Sequence, residues 1–370
     1  MEIRSVKNGR DLRDFIKLPW KVYQHDRYWV PPLISEVKTV LSVKHNPFWK
    51  HAAQELFIVK KEGKTVGRIA GIIDQTHINY QKEKVGFFGF FEAFDDYEIA
   101  ELLLSAVRMW LKENGMEFMR GPMNPSINDE CGTLIDGFDY PPYLMMTHNP
   151  PYYPGFMDRF GLTKAVDWYA YLGPLAAELP KEIEIAARFG REHNPQLTIR
   201  PINMKHLKEE ALVVMDIFNS AWSKNWGFVP FTEEEIWALA KRLKSIAIPD
   251  LALIAEMDKL PVGVLLGVPN FNQVLKHLNG RLSPIGILKA MYYGRKIDSG
   301  RLVIMGVKEE YRKAGIEAVL YEQAIKTAYQ LGIRWVESSM ILEQNSLTRR
   351  AAELSGGKAY KTYRIYQMPI

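Results

Sequence analysis

A single cysteine, Cys131, leaves this chain unable to close an internal disulfide, and no CxxC pair suggests structural zinc. A reducing, cytoplasmic setting is expected. Long apolar runs are missing from the start of the chain, where MEIRSVKNGRDLRDF is polar and amphipathic. Neither a secretion signal nor a membrane span fits it, so no membrane partner is expected. Basic blocks are absent as well. A formal charge of +5 over 370 residues, without a Lys/Arg run, gives no nucleic-acid partner and only a slight attraction for anionic ligands. No His, Cys, Asp and Glu spacing is diagnostic of a metal site, the nearest approach being Asp129, Glu130 and His148. With 47% apolar and 25% charged residues the chain is neither disordered nor fibrous, and its length suits two domains.

What is present is a repeat. FIVKKEGKTVGRIAGI (57–72) lies on LIAEMDKLPVGVLLGV (253–268) without a gap, at an offset of 196, so Val66-Gly67 falls on Val262-Gly263 and Gly71 on Gly267. Each run reads as two apolar strands joined by a charged tight turn. The segment from Asn149 matches that from Asn345 at the same offset, each a short helix followed by an aromatic-rich strand. Between these anchors, EIAELLLSAVRMWLKENG and IEAVLYEQAIKTAYQLG carry apolar residues at helical spacing and stop at Gly115 and Gly332. These glycines stand 217 apart, so each half holds an insertion of 21 residues that the other lacks. In the first half it is MNPSINDECGTLIDGFDYPPYLMM, from Met123. In the second it surrounds NFNQVLKHLNGRLSPIGILKAMYYG, from Asn270.

The order of elements predicts an α+β class, two tandem three-layer α/β/α domains built on mixed sheets. The first domain is expected over residues 1–173, with its polar insertion at 123–146. A linker helix, LPKEIEIAARFGREH, belongs to 174–195, and the second domain to 196–370.

This order, with RKAG (312–315) opening a long helix directly after a central strand, resembles the GNAT superfamily of acyl-CoA N-acyltransferases. The pattern covers nearly the whole chain, whereas the specific motif is short. The signature runs Arg or Gln, two residues, Gly, one residue, then Gly or Ala, and its backbone N–H groups hold the coenzyme pyrophosphate. Arg312 and Gly315 match it, while Glu317 stands where a small residue is expected. The resemblance implies acyl-CoA or acetyl-CoA as co-substrate, held by Met305, Val307, Arg312, Lys313, Ala314, Gly315 and Ile316. A helix N-terminus carrying partial positive charge gives such a loop its physical basis. A carboxylate at Glu317 would instead suit a phosphate-free helix. The first half has acids, Asp95, Asp96 and Glu98, at the equivalent helix start, which would repel a pyrophosphate. Its segments DRYWVPPL, NPFW, VGRIAG, FGFFE and GPMNPSINDECG also resemble a tandem GNAT-like bacterial family of undefined function.

For catalysis, strand alternation in RWVESSM sets Trp335, Glu337 and Ser339 on one face, so Glu337 is a candidate base that is either paired or functional. The tyrosine that in the superfamily protonates the departing thiolate has no counterpart here: the corresponding positions are Ala352 and Met157. The proline-rich insertion of the first half is expected to shape a small-molecule pocket from Asn124, Ser126, Asn128, Asp129, Glu130, Tyr143, His148 and Asn149, with Asn345 at the matching place in the second half; a structural cover is the competing reading. Two functions stay open: an acyltransferase acting on an amine, and a non-catalytic small-molecule binder or sensor. Oligomeric state is not readable.

Overall fold

Both matched runs close through two-residue turns with positive φ at each position, Glu62-Gly63 (51° and 74°) and Asp258-Lys259 (50° and 69°). That geometry matches the right-handed twist of the flanking strands, so a tight hairpin forms twice. The computed structural model describes residues 1–370. The chain divides into two compact units. One comprises Met1–Trp168, Leu275–Leu288 and Lys361–Ile370, and the other Tyr169–Val274 and Lys289–Tyr360.

In the first unit, β1 (Glu2–Ser5), β2 (Ala52–Lys61), β3 (Lys64–Asp74), β4 (Val85–Ala93) and β5 (Phe118–Gly121) lie side by side in chain order. The C-terminal residues close the order antiparallel to β5, with Tyr366 opposite Gly121 and Pro369 opposite Phe118. Only β4 and β5 run parallel, which requires a crossover, and the helix Tyr97–Glu113 supplies it. Its stripe of Ile99, Leu103, Leu104, Val107 and Leu111 packs with Val59 and Ile69. Ile58, the strand neighbour of Val59, faces the other way, into a cluster with Phe15, Ile16 and Leu41. The two faces of one strand thus serve two layers, as a period of two dictates. Each of these side chains is almost wholly buried, worth about 2 kcal/mol apiece.

The first insertion continues from β5 as β6 (Met123–Asn124), β7 (Glu130–Cys131) and β8 (Thr133–Asp136). The first two form a small hairpin, and β8 adds to the C-terminal strand through Leu134↔Tyr363.

The second unit receives the end of β9 (Thr163–Pro174) and then builds β10 (Leu197–Pro201), β11 (Ala252–Met257), β12 (Leu260–Pro269), β13 (Ser299–Val307) and β14 (Trp335–Leu342); the last strand, β15 (Lys358–Pro369), begins here. Spatial order is β9-β14-β13-β12-β11-β10, with only β13 and β14 parallel among the pairs from β10 to β14. Leu253, Ala255 and Leu265 pack on one face against Ile316 and Leu320 of the helix Ile316–Gln330. Val264 and Ile304 pack on the other against Val214, Ile217 and Ile236 from the helices Leu207–Ala221 and Glu233–Leu243. The expected α+β class with mixed, three-layered sheets is what the chain forms. The charged helix expected after Pro174 is present as Lys181–His193, and it packs on the 316–330 helix, with Arg191 paired to Glu322.

Candidate functional site

β13 and β14 pair only from Ser299↔Trp335 to Leu302↔Ser338, although β13 runs on to Val307 and β14 to Leu342. Past that last pair the two strands no longer hydrogen-bond to each other in register, and a cleft lies against the paired stretch itself, lined by Gly300, Arg301 and Leu302 of β13 and by Val336 and Ser338 of β14. Its walls are mostly apolar: Leu251, Leu265, Gly267 and Val268, then Ala324, Ile325 and Ala328 from the 316–330 helix, and Ala352 from the helix Ser346–Leu354. Ala352, at the position where the resemblance calls for a tyrosine, puts a small side chain in the cleft wall. Tyr321 also lines the cleft, and burial, with the nearby Glu317 charge, pushes its hydroxyl up to about 12. It therefore keeps its proton at neutral pH. Tyr171, from β9, lines the same cleft, its hydroxyl fixed between Arg349 Nε and Glu353 Oε1, each at 3.2 Å.

One residue out of phase with Leu302 and Ser338 stands a buried polar network. Glu337 is 0% and Arg301 5% exposed, and the strand register sets them side by side. Ser339 Oγ donates to Glu337 Oε2 at 2.8 Å, Tyr360 donates to Oε1 at 3.0 Å, and Arg301 Nε lies 3.4 Å from Oε2 while donating to Ser339 Oγ at 2.8 Å. The shared face of Glu337 and Ser339 was legible from alternation; Arg301 and Tyr360 were not, because their proximity depends on strand register. Removing one member of such a pair leaves a buried charge, at a cost of about 3–5 kcal/mol.

The loop before the 316–330 helix carries the residues assigned to the coenzyme. Met305 and Val307 belong to the core beneath the helix, and Ile316 is fully buried. Arg312 donates through Nε to the Val307 carbonyl at 3.2 Å and through its other end to the Ala221 carbonyl. Gly315 (φ 78°) precedes the first helical residue, and the first backbone bond across it runs from Val319 N–H to the Gly315 carbonyl. Helix geometry leaves the earlier N–H groups without carbonyl partners, and Lys313 is exposed beside them, so an anion suits the loop. Two features oppose it. A Cβ at Gly315 would lie 2.7 Å from Gly190 Cα, so this glycine also serves the close approach of the 181–193 helix, whose Asn194 cap donates to the Ala314 carbonyl at 2.9 Å. Glu317, in the first turn of the helix, is raised by burial and sets a carboxyl beside the same donors.

In the first unit the corresponding parting is closed. β4 pairs with β5 from Val85↔Phe118 to Phe87↔Arg120, and the chain then turns back across β4. Asn124 Oδ1 accepts the Phe90 N–H at 2.6 Å, where Phe90 has φ 51°, and a Cβ on Gly89 would fall 1.6 Å from the Met123 carbonyl oxygen. The other insertion residues hold the segment together. Ser126 donates to Asp129 at 2.8 Å and accepts from Asn128 N–H at 3.2 Å; Glu130 pairs with Asn124 in the small hairpin; Tyr143 is buried. Asn149 bridges the Leu134 N–H (2.6 Å) and carbonyl (3.1 Å). His148 Nε2 lies 2.8 Å from Asp26 Oδ2, and its carbonyl accepts from Tyr23. Asn345, in the second unit, caps the 346–354 helix by accepting the Thr348 N–H at 3.2 Å. The acidic start of the 97–113 helix is likewise capped from within, Asp96 accepting the Glu98 N–H at 3.2 Å.

This architecture is that of a tandem GNAT protein. A tandem GNAT protein from the clavulanic acid biosynthesis pathway matches over 100% of this chain and 98% of its own, with a TM-score of 0.59 at 10% identity, and a GCN5-related N-acetyltransferase from Sphaerobacter thermophilus matches over 100% and 95% with a TM-score of 0.54 at 15% identity. No family model matches the chain. Two proteins are related along its whole length: Protein YghO of Escherichia coli K12, 35% identical over 100% of this chain and 95% of its own, and the bacterial ceramide synthase of Caulobacter vibrioides, 35% identical over 100% and 98%. The chain belongs to the family that contains these two proteins. No helix is long and apolar enough to cross a membrane.

Proposed function

We propose that the chain is an N-acyltransferase whose second unit moves a long acyl group from acyl-CoA to the amino group of a long-chain amino alcohol. The observation that carries this is the largely apolar cleft against the paired stretch of β13 and β14, where Gly267, Ala324, Ala328 and Ala352 stand among larger apolar side chains and suit a hydrocarbon. Full-length similarity to a bacterial ceramide synthase supports the acceptor class, since a ceramide is the amide of such an amine with a fatty acid. In the reaction the amine nitrogen attacks the thioester carbonyl, the amide C–N bond forms and the C–S bond breaks. The amine gives up a proton and the thiolate takes one up to leave as free coenzyme; Glu337 is the candidate base read from the sequence, and it stands on the side of β14 opposite Val336 and Ser338, which line the cleft. Arg301, Ser339 and Tyr360 hold the Glu337 carboxylate in place. The Lys313–Ile316 loop faces the pyrophosphate.

Incubation of the purified chain with sphinganine and acyl-CoAs of increasing length, read by amide mass and by thiol release, tests the proposal. Product is expected with long acyl chains, and Glu337→Gln, compared only where circular dichroism shows a native fold because it leaves Arg301 buried without its carboxylate, should lower turnover about a hundredfold. Absence of amide with every pair overturns it. A binder without turnover is favoured by one observation, the acidic Glu317 in the first turn of the 316–330 helix. It requires that calorimetric titration detect no acyl-CoA binding to the native chain while Glu317→Ala binds.

A further inference from the structure

The insertion that distinguishes the second half contains a helix that neither the cleft nor the loop uses. Pro284–Gly294 reads PIGILKAMYYG, apolar around most of its circumference, a composition that in a globular protein accompanies burial. Here it stands in solvent. Leu282, Ile285, Ile287, Leu288, Met291 and Tyr292 are exposed, Ile285 to 68% and Leu288 to 67%, and Gly286 is the one buried residue of the helix. Ile285, Leu288 and Tyr292 keep the spacing of a single face. A contiguous apolar surface of this kind marks an interaction site.

The charges around it define the partner. Arg281, Lys289, Arg295 and Lys296 flank or interrupt the patch, all four exposed, and no Asp or Glu occurs from Asn279 to Ile297. Lys296 Nζ donates to Tyr292 OH at 2.7 Å and sits 4.1 Å from its ring centre, so an aromatic with a polar tip and a cation share one edge of the apolar face. Eleven residues make a helix of about 16 Å, half of a bilayer's apolar thickness. Pairing of this helix with its copy on a second chain would oppose four cations to four others with no carboxylate on the helix to offset them.

We infer that the 284–294 helix lies in the surface of an anionic lipid bilayer, with Ile285, Leu288 and Met291 among the acyl chains and the four cations at the phosphates. The expectation of no membrane partner rested on the lack of long apolar runs, which bears on spanning segments alone; an interfacial helix needs no such run. The inference stands whether or not the second unit is an acyltransferase, because its test reads vesicle binding and not turnover.

The full chain is sedimented with vesicles of equal parts phosphatidylcholine and phosphatidylglycerol, and with vesicles of phosphatidylcholine alone. Binding at least about tenfold tighter to the anionic vesicles, weakened by salt, is expected. Ile285→Glu/Leu288→Glu/Met291→Glu, placed on exposed positions so that circular dichroism stays native, should lose at least about tenfold in affinity. Lys289→Glu/Arg295→Glu should lose the preference for anionic lipid, and it supports the inference even where the triple variant fails to fold. Failure of the native chain to sediment with either vesicle, or undiminished binding by folded charge and triple variants, overturns it. So does a concentration-dependent dimer that the same substitutions disperse while vesicle binding is absent.

Discussion

Each unit of this chain parts a pair of parallel strands after a few residues of pairing, and the surroundings of the two pairs differ. Between β4 and β5 the chain's own insertion closes the gap, with Asn124 on the Phe90 N–H and the Met123 carbonyl against Gly89. Against the paired stretch of β13 and β14 lies a cleft whose walls include Gly267, Ala324, Ala328 and Ala352 among larger apolar side chains. Both units also bury a glutamate with an arginine and tyrosine: Glu92 with Arg68, Tyr23 and Tyr153, and Glu337 with Arg301 and Tyr360. In the first unit burial raises the Glu92 carboxyl, while Arg68 and the tyrosine hydroxyls work against the rise. One scaffold therefore supports a half whose parting is filled by the segment inserted after β5 and a half that keeps a cleft against its parallel pair.

The comparison breaks most readily at Gly89. Its added Cβ would meet backbone, which has no rotamer to yield, so Gly89→Ala should cost about 3 kcal/mol in denaturant unfolding. A loss under about 1 kcal/mol would mean that the insertion does not fill the first parting.

A smaller contrast is set by the aligned pair Gly71 and Gly267. A Cβ at Gly71 would come 2.7 Å from Trp110 Cε3, whereas at Gly267 the nearest atom, the Leu251 carbonyl oxygen, is at 3.4 Å. Gly71→Ala should destabilise by about 1–2 kcal/mol, since the indole can shift in part, and Gly267→Ala by less than about 0.5 kcal/mol. Equal losses in thermal unfolding would show that the second unit is packed as tightly as the first.

The smallest effect is electrostatic and belongs to the first unit. Glu83 is held at about 2, from 4.5, chiefly by its hydrogen bond to His77 and then by Arg120, with burial opposing. A depressed carboxylate contributes stability that is complete above the unfolded value, near 4.5, and is lost as pH falls toward about 2. The group is partly exposed, so screening reduces the contribution below about 1 kcal/mol. Acid titration of stability should flatten slightly in that window for Glu83→Gln; an unchanged slope would remove the pair from the account.

Much of this fold was readable because repetition and periodicity are local. The two charged turns, the glycine-terminated helices and the strand alternation each rest on residues within a few positions of one another, and all appear where the sequence sets them. The alternation in RWVESSM put Glu337 and Ser339 on one face. Nothing local could announce Arg301, which reaches Glu337 only through the β13–β14 register, or Gly190, whose contact with Gly315 gives that glycine a packing role beside any phosphate role. The polar, proline-rich insertion has the composition of a pocket, yet its Asn124, Ser126 and Asn149 hold backbone and one another.

By itself the sequence determined the class of fold, the doubling of that fold and the hairpin and helix positions, because apolar period, turn residues and caps act over distances the chain keeps short. Tertiary structure alone decided that the first parting is filled and that the second unit keeps a cleft against its parallel pair, since both depend on where distant segments come to rest. It alone decided, too, that Pro284–Gly294, apolar enough to be a core helix, meets solvent instead.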